Sequence, residues 1–139
     1  MNKKDILSTL NGKRIFLTGA TGFIGSHLLK RLIKENCEVH ISIRENSSLK
    51  RIKDVIDNYA CHILDLTDFN STKNLIKKLK PEIIFHLAAY GVDYRQQDNT
   101  KRLMLILTLV LIYLNHILKT KELDLFILAH LWSMEIKIT

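Results

Sequence analysis

The stretch Thr18-Gly19-Ala20-Thr21-Gly22-Phe23-Ile24-Gly25 decides how this chain folds. It follows the apolar run Ile15-Phe16-Leu17 and opens the amphipathic segment His27-Leu28-Leu29-Lys30-Arg31-Leu32-Ile33-Lys34, so it stands where a strand turns into a helix. In that setting each glycine has a physical reason. Gly19 permits the tight turn out of the strand, Gly22 lets the backbone approach a pyrophosphate, and Gly25 lets the helix pack closely on the sheet. A phosphate would rest on the free N–H groups of the helix start, where the macrodipole favours negative charge. A purely structural turn is the alternative, but the flanking strand and helix both agree with a phosphate loop.

Working outward, the spacing predicts a first strand over Lys13 to Thr18 and a helix from about Phe23 to Lys34 that ends near Glu35-Asn36. Glu38 to Ile43 alternates as a second strand, which completes a β-α-β unit with a right-handed crossover. Upstream, residues 1–12 read as a lead-in with a helical turn from Asp5 to Leu10, closed by Asn11-Gly12. Downstream, Ile52, Val55 and Ile56 give Leu49 to Tyr59 helical spacing, and Ala60 to Leu64 reads as a third strand.

The third strand ends in Asp65-Leu66-Thr67-Asp68, where Thr67 or Asp68 is suited to cap a helix from about Phe69 to Leu79. Lys80-Pro81 stops that helix, and Glu82 to Ala89 is a nearly continuous apolar strand of the kind buried in parallel sheets. The polar loop from Gly91 to Thr100 follows at the carboxyl edge, where ligands of doubly wound sheets bind.

Thr-Gly-x-x-Gly-x-x-Gly at 18–25, together with His86-Leu87-Ala88-Ala89 at a strand end, resembles the extended short-chain dehydrogenase/reductase family, the NAD(P)-dependent epimerases and dehydratases of nucleotide-linked sugars. The resemblance implies an α/β fold: a Rossmann-like doubly wound parallel sheet in order 3-2-1-4-5, truncated after about strand five. Residues 1–139 are then a single NAD(P)-binding domain without a substrate domain. It further implies that Gly19, Thr21, Gly22, Phe23, Ile24 and Gly25 surround the pyrophosphate. Asp65 would accept from the adenine amine while the Leu66 N–H donates to the ring, and Leu87, Ala88 and Ala89 would pass under the nicotinamide ribose.

The residues after the second strand select the cofactor: an acidic side chain there bonds the ribose hydroxyls of NAD, and an arginine accommodates the extra phosphate of NADP. The acidic position falls on Ile43 and is followed by Arg44, with Ser47 close behind. NADP is therefore the favoured cofactor and NAD the alternative.

With 139 residues and 47% hydrophobic content the chain has the length of one domain and enough apolar surface for a core. The net charge of +7 is spread over several predicted helices. Its densest cluster, Lys73, Lys77, Lys78 and Lys80, has no interleaved aromatic residues, so it reads as a solvated face rather than a nucleic-acid platform. Cys37 and Cys61 have no metal spacing and are expected as reduced cytoplasmic thiols, and no secretory signal begins the chain. His86 reads as a packed strand residue with no second metal ligand near it in sequence; no metal site is expected.

From Lys101 onward the resemblance becomes irregular. Leu103 to Leu114 is apolar on all sides, which predicts exposed hydrophobic surface, yet the uncharged run to Leu118 falls short of the ~20 residues that span a membrane and includes Asn115 and His116. Leu123 to Leu128 reads as a fifth strand. The proton-transferring Tyr-x-x-x-Lys that the family places after it is missing, so no catalytic residue is assigned. Read in a displaced frame with permissive codons, the tail from Ile127 yields a strand-end serine motif followed by Tyr-Gly, which suggests a frameshifted gene of this family. The function expected is the NAD(P)-binding portion of a nucleotide-sugar epimerase, dehydratase or reductase, inactive alone. The alternative is a noncatalytic nucleotide-binding or interaction module.

Overall fold

A computed structural model of the chain describes residues 9–88 and Leu107. Its centre is β1 (Arg14–Thr18), whose residues are buried from Ile15 onward because parallel neighbours flank it on both sides. β2 (Glu38–Ile43) runs parallel on one side, with Arg14 opposite Glu38 and Thr18 opposite Ser42. β4 (Ile83–His86) runs parallel on the other, with Thr18 opposite His86. Among the described residues β3 (Ala60–Ile63) pairs only with β2, so the order of these strands is 3-2-1-4. This is the order expected of these strands in a Rossmann-like sheet; the expected fifth strand lies outside the described residues.

Two helices cover opposite faces, and the strand pleat divides the core between them. α1 (Phe23–Lys34) sends Leu29 and Leu32 onto Ile15, Leu17, Val39, Ile41, Ile83 and Phe85. α2 (Phe69–Leu79) sends Ile76 and Leu79 onto Phe16, Ile84, Leu64 and Leu66. Successive β1 residues thus serve alternate cores, which is why Ile15-Phe16-Leu17 contains no polar position.

Both helices have the predicted bounds because their ends are chemically marked. α1 closes with Asn36 in the left-handed region at φ 58°. The Asn36 N–H donates to Ile33 O and the Cys37 N–H to Leu32 O, satisfying two of the terminal carbonyls in a Schellman motif. α2 opens on Asp68, whose Oδ1 accepts from the Ser71 N–H at 3.1 Å, and closes with Lys80 at φ 48° before Pro81. Asp68, rather than Thr67, is the cap.

The expected helix from Leu49 to Tyr59 is not formed. Only a broken 3-10 segment spans Lys53–Asn58, interrupted at Val55, where φ is −127°. Ile52 is fully buried and Leu49, Val55 and Tyr59 pack against the same core, but Ile56 is 48% exposed, so the apolar residues reach the core without forming the single continuous stripe that a helix needs.

The strand ends are also trimmed. Glu82 leaves the expected strand to bind Lys13 Nζ at 2.8 Å and the Arg14 N–H at 2.9 Å, while Leu87 and Ala88 leave it beneath the glycine loop. Leu64 remains attached through its N–H to Ile43 O at 2.8 Å, although β3 ends at Ile63. The lead-in from Asp5 to Ser8, the polar loop, the tail and nearly all of the apolar run lie outside the described residues. Leu107, within that run, is helical and 39% exposed.

Candidate functional site

The sheet order reverses at β1: the chain moves outward to β2 and β3, then crosses back to β4. The turns that leave β1 and β3 therefore lead to helices on opposite faces and, with the end of β4, leave a crevice at the carboxyl edge. A cleft of about 300 Å³ lies there, lined by Gly19, Thr21, Gly22, Ser42, Ile43, Arg44, Ser47, Leu64, Asp65, Leu66, Thr67, Leu87 and Ala88.

The glycine loop forms one end. Gly19 has φ 71°, and a Cβ on it would lie 2.5 Å from the Leu87 carbonyl carbon and 2.6 Å from Ala88 N. The loop and the end of β4 are thus in backbone contact, which only glycine permits. Gly22 is the N-cap of α1 and supplies no side-chain acceptor, so the first-turn N–H groups are left for an external anion. Gly25 is buried with its Cα against Gly19 and Ala20, where any Cβ would collide with backbone. Phe23 and Ile24 are 70% and 49% exposed at the helix start, an unusual placement for large apolar side chains beside a polar opening.

The opposite end is built by the turns after β2 and β3. The Arg44 N–H donates to Ser47 Oγ at 2.9 Å, and the Ser47 N–H returns a bond to Arg44 O, so Arg44 to Ser47 form a closed turn at the cleft mouth. Among the described residues no carboxylate pairs with the Arg44 guanidinium, although its charge is felt by Asp65. Asp65 Oδ1 accepts from the Thr67 N–H at 2.9 Å and from Thr67 Oγ1 at 2.7 Å. These two donors, and secondarily Arg44, hold the Asp65 carboxyl below the usual carboxylate range and keep it ionised. Oδ2 has no partner among the described residues and is open to an incoming donor. Leu66 turns its side chain into the α2 core and contributes only backbone, and its N–H has no acceptor among the described residues.

Of the residues predicted for the site, Gly19, Thr21, Gly22, Arg44, Ser47, Asp65, Leu66, Leu87 and Ala88 come together around this one cleft. Phe23 and Ile24 flank it, Gly25 shapes it from within, and Ala89 lies outside the described residues. Sequence reasoning missed Ser42, Ile43, Leu64 and Thr67 as lining residues. Ile43 and Thr67 had been located for other reasons; Ser42 follows from strand parity once its register with Thr18 is known. Among the described residues there is no cluster of three metal-ligating side chains and no helix long and apolar enough to cross a membrane.

A model of the NAD dependent epimerase/dehydratase family matches residues 15–130, a span that extends past residue 101, where the sequence motifs become irregular. CDP-glucose 4,6-dehydratase of Salmonella typhimurium is 36% identical over 84 residues, which are 56% of this chain and 23% of that protein. Probable polyketide synthase 32 of Dictyostelium discoideum is 47% identical over 93 residues, 65% of this chain and 3% of that protein. Among solved structures, the UDP-Glc/GlcNAc 4-epimerase of Campylobacter jejuni superposes with a TM-score of 0.68 at 26% identity, over 84% of this chain and 36% of that one. The chain thus spans about a quarter of the curated dehydratase and about a third of the solved epimerase.

Proposed function

Because the chain belongs to the NAD dependent epimerase/dehydratase family, whose model matches residues 15–130, we propose that it binds a nicotinamide dinucleotide in the carboxyl-edge cleft and corresponds to the cofactor-binding portion of a nucleotide-sugar epimerase, dehydratase or reductase. One observation carries this reading. The uncapped helix start at Gly22, the ionised Asp65 with the open Leu66 N–H, and the Leu87-Ala88 floor line a single cleft. Pyrophosphate, adenine and nicotinamide ribose would each meet the chemistry that suits them. The cofactor, when bound, supplies hydride transfer; the chain's own residues bind and orient it.

NADP is the form we favour, since Arg44 and Ser47 stand at the mouth where a 2′-phosphate would emerge and no acidic side chain occupies the preceding position. A charge-assisted contact of this kind is stronger than a neutral one. The two thiols, Cys37 half-buried and Cys61 exposed, fit a reducing cytoplasmic setting.

Two further readings rest on specific observations. The 139 residues contain no tyrosine followed four positions later by lysine, which favours nucleotide binding without turnover by this polypeptide. The identity with a probable polyketide synthase favours the same unit serving a large synthase, with a polyketide in place of the sugar nucleotide. Calorimetric titration of the 139-residue chain with NAD, NADP, CDP-glucose and UDP-glucose tests these readings. Saturable binding of a dinucleotide is expected, tighter for NADP; binding of neither dinucleotide would refute the assignment of the cleft.

A further inference from the structure

A rank of polar side chains crosses the sheet directly under the cleft. His62, Ser42, Thr18 and His86 are register partners on successive strands, all on the α2 face. Thr18 and His86 are 0% and 3% exposed, and Thr18 Oγ1 lies 2.6 Å from His86 Nδ1. Thr18 Oγ1 also accepts from the Ala88 N–H at 3.2 Å, and Thr18 O accepts from the Leu87 N–H at 3.2 Å. Thr18 is the last residue of β1 before the glycine loop, and Leu87-Ala88 is the floor that Gly19 touches. The threonine therefore ties the two walls of the cleft together through one backbone and one side-chain bond.

Counting protons fixes what His86 does there. If His86 carried its proton on Nδ1, Thr18 Oγ1 would accept from both His86 and Ala88, leaving its own hydroxyl proton without an acceptor in a fully buried site. If the proton is on Nε2, Thr18 donates to Nδ1 and accepts from Ala88, so every polar atom of Thr18 is satisfied. Of this pair's polar atoms His86 Nε2 alone is then left without a partner among the described residues, as Ser42 Oγ is on the far side of Thr18. An unmet buried group costs free energy, so the arrangement with one orphan is preferred to that with two.

We propose that His86 is a positioning residue for the dinucleotide: as the Nε2–H tautomer it orients the Thr18 hydroxyl, which holds the Leu87-Ala88 floor against the glycine loop and so sets cofactor affinity. The proposal rests on the reading of the cleft as a dinucleotide site. Burial holds the imidazole neutral, pushed down to about 4, so the acceptor on Nδ1 persists at ordinary pH.

The test combines a spectroscopic and a binding measurement on the full 139-residue chain. Long-range 1H–15N correlation of the His86 ring at pH 7 is expected to show the neutral Nε2–H tautomer; an Nδ1–H tautomer would overturn the proposal without any substitution. By NAD and NADP titration, His86→Leu and Thr18→Val are each expected to weaken binding by roughly tenfold, the scale of one lost hydrogen bond, and the double variant by no more than the worse single. His86→Asn, which restores an acceptor at the Nδ1 position, and Thr18→Ser, which keeps the hydroxyl, are expected to stay near wild type. Wild-type affinity in folded Thr18→Val or His86→Leu would overturn the positioning role alone. Failure of the wild-type chain to bind either dinucleotide would overturn the site reading and this proposal with it.

Discussion

Gly19 and Leu87 are in backbone contact: a Cβ on the glycine would stand 2.5 Å from the leucine carbonyl carbon. Gly19 also has φ 71°, so alanine there is opposed both by its own backbone and by a neighbour that cannot move without displacing β4. Gly12 has the same φ with nothing within 4 Å of its would-be Cβ, and so isolates the conformational part. Gly12→Ala is expected to cost about 1 kcal/mol, and Gly19→Ala at least twice that, in urea unfolding midpoints. Equal costs would show that the contact between loop and floor is not tight.

The two aspartates of the Asp65-Leu66-Thr67-Asp68 turn are expected to separate by function. Asp68 caps α2, so Asp68→Ala should lower the melting temperature and leave dinucleotide affinity unchanged. Asp65→Ala should weaken affinity while costing less stability, because it caps no helix and, among the described residues, its carboxylate is bonded to Thr67 within the turn. Thermal melts and titrations of the pair decide the matter; a loss of affinity in Asp68→Ala alone would reverse the assignment.

Acid should destabilise the fold well before its carboxylates titrate. Burial depresses His86 to about 4 from an ordinary 6.5, and burial, then the charges of His40 and Lys78, depress His62 in the same direction. Between those values the unfolded chain binds more protons than the folded one, so stability is complete above about pH 7 and falls as pH drops. His86 alone should lower unfolding free energy by about 2 kcal/mol at pH 5 relative to pH 7.5. Urea midpoints at the two pH values measure this, and His86→Asn should flatten the difference. An unchanged midpoint in wild type would contradict the burial of a neutral imidazole.

The proposed preference for NADP turns on Arg44. If its guanidinium meets the 2′-phosphate, Arg44→Ala should remove most of the difference between NADP and NAD, about 1.5–3 kcal/mol for a charge-assisted bond. NAD affinity should change little. Equal affinities for the two dinucleotides before mutation would refute the preference.

What was legible in the sequence follows from where the determinants lie. The bounds of α1 and α2 were readable because local chemistry marks them: Gly22 and Asn36 for the first, Asp68 and Lys80-Pro81 for the second. The gathering of Gly19, Asp65 and Ala88 was readable because strand order alone brings their loops to one edge. The Leu49 to Tyr59 helix was misread because Ile52, Val55 and Tyr59 reach the core from an irregular segment while Ile56 stays exposed, a difference that spacing does not reveal. The Thr18 and His86 pair was invisible because it depends on the register of two strands 68 residues apart.

The absence of a Tyr-x-x-x-Lys pair bears on activity. Removing a carbinol proton at neutral pH needs a base, and a tyrosine serves only when a nearby cation lowers its pKa from about 10. Tyr59, Tyr90, Tyr94 and Tyr113 are followed four residues later by Ile63, Tyr94, Asp98 and Ile117. The 139-residue chain is expected to bind dinucleotide without turning over CDP-glucose or UDP-glucose, as followed by absorbance of the reduced cofactor and by chromatography of the sugar nucleotides. Turnover by the chain alone would demand another acid–base group.

The most direct test of the dinucleotide cleft is a titration of Gly22→Asp beside wild type. Gly22 is the α1 N-cap with φ −72° and ψ 174°, a conformation open to any residue, and its would-be Cβ stands 3.2 Å from Gly19 O, a tight contact relieved when that carbonyl shifts by a few tenths of an ångström. Aspartate is a preferred N-cap and should hold or raise the melting temperature, yet it places a carboxylate where the pyrophosphate would sit. Wild type should bind NADP saturably with one site per chain, and Gly22→Asp should be equally stable and fail to bind. Undiminished NADP binding by a stable Gly22→Asp would contradict the account.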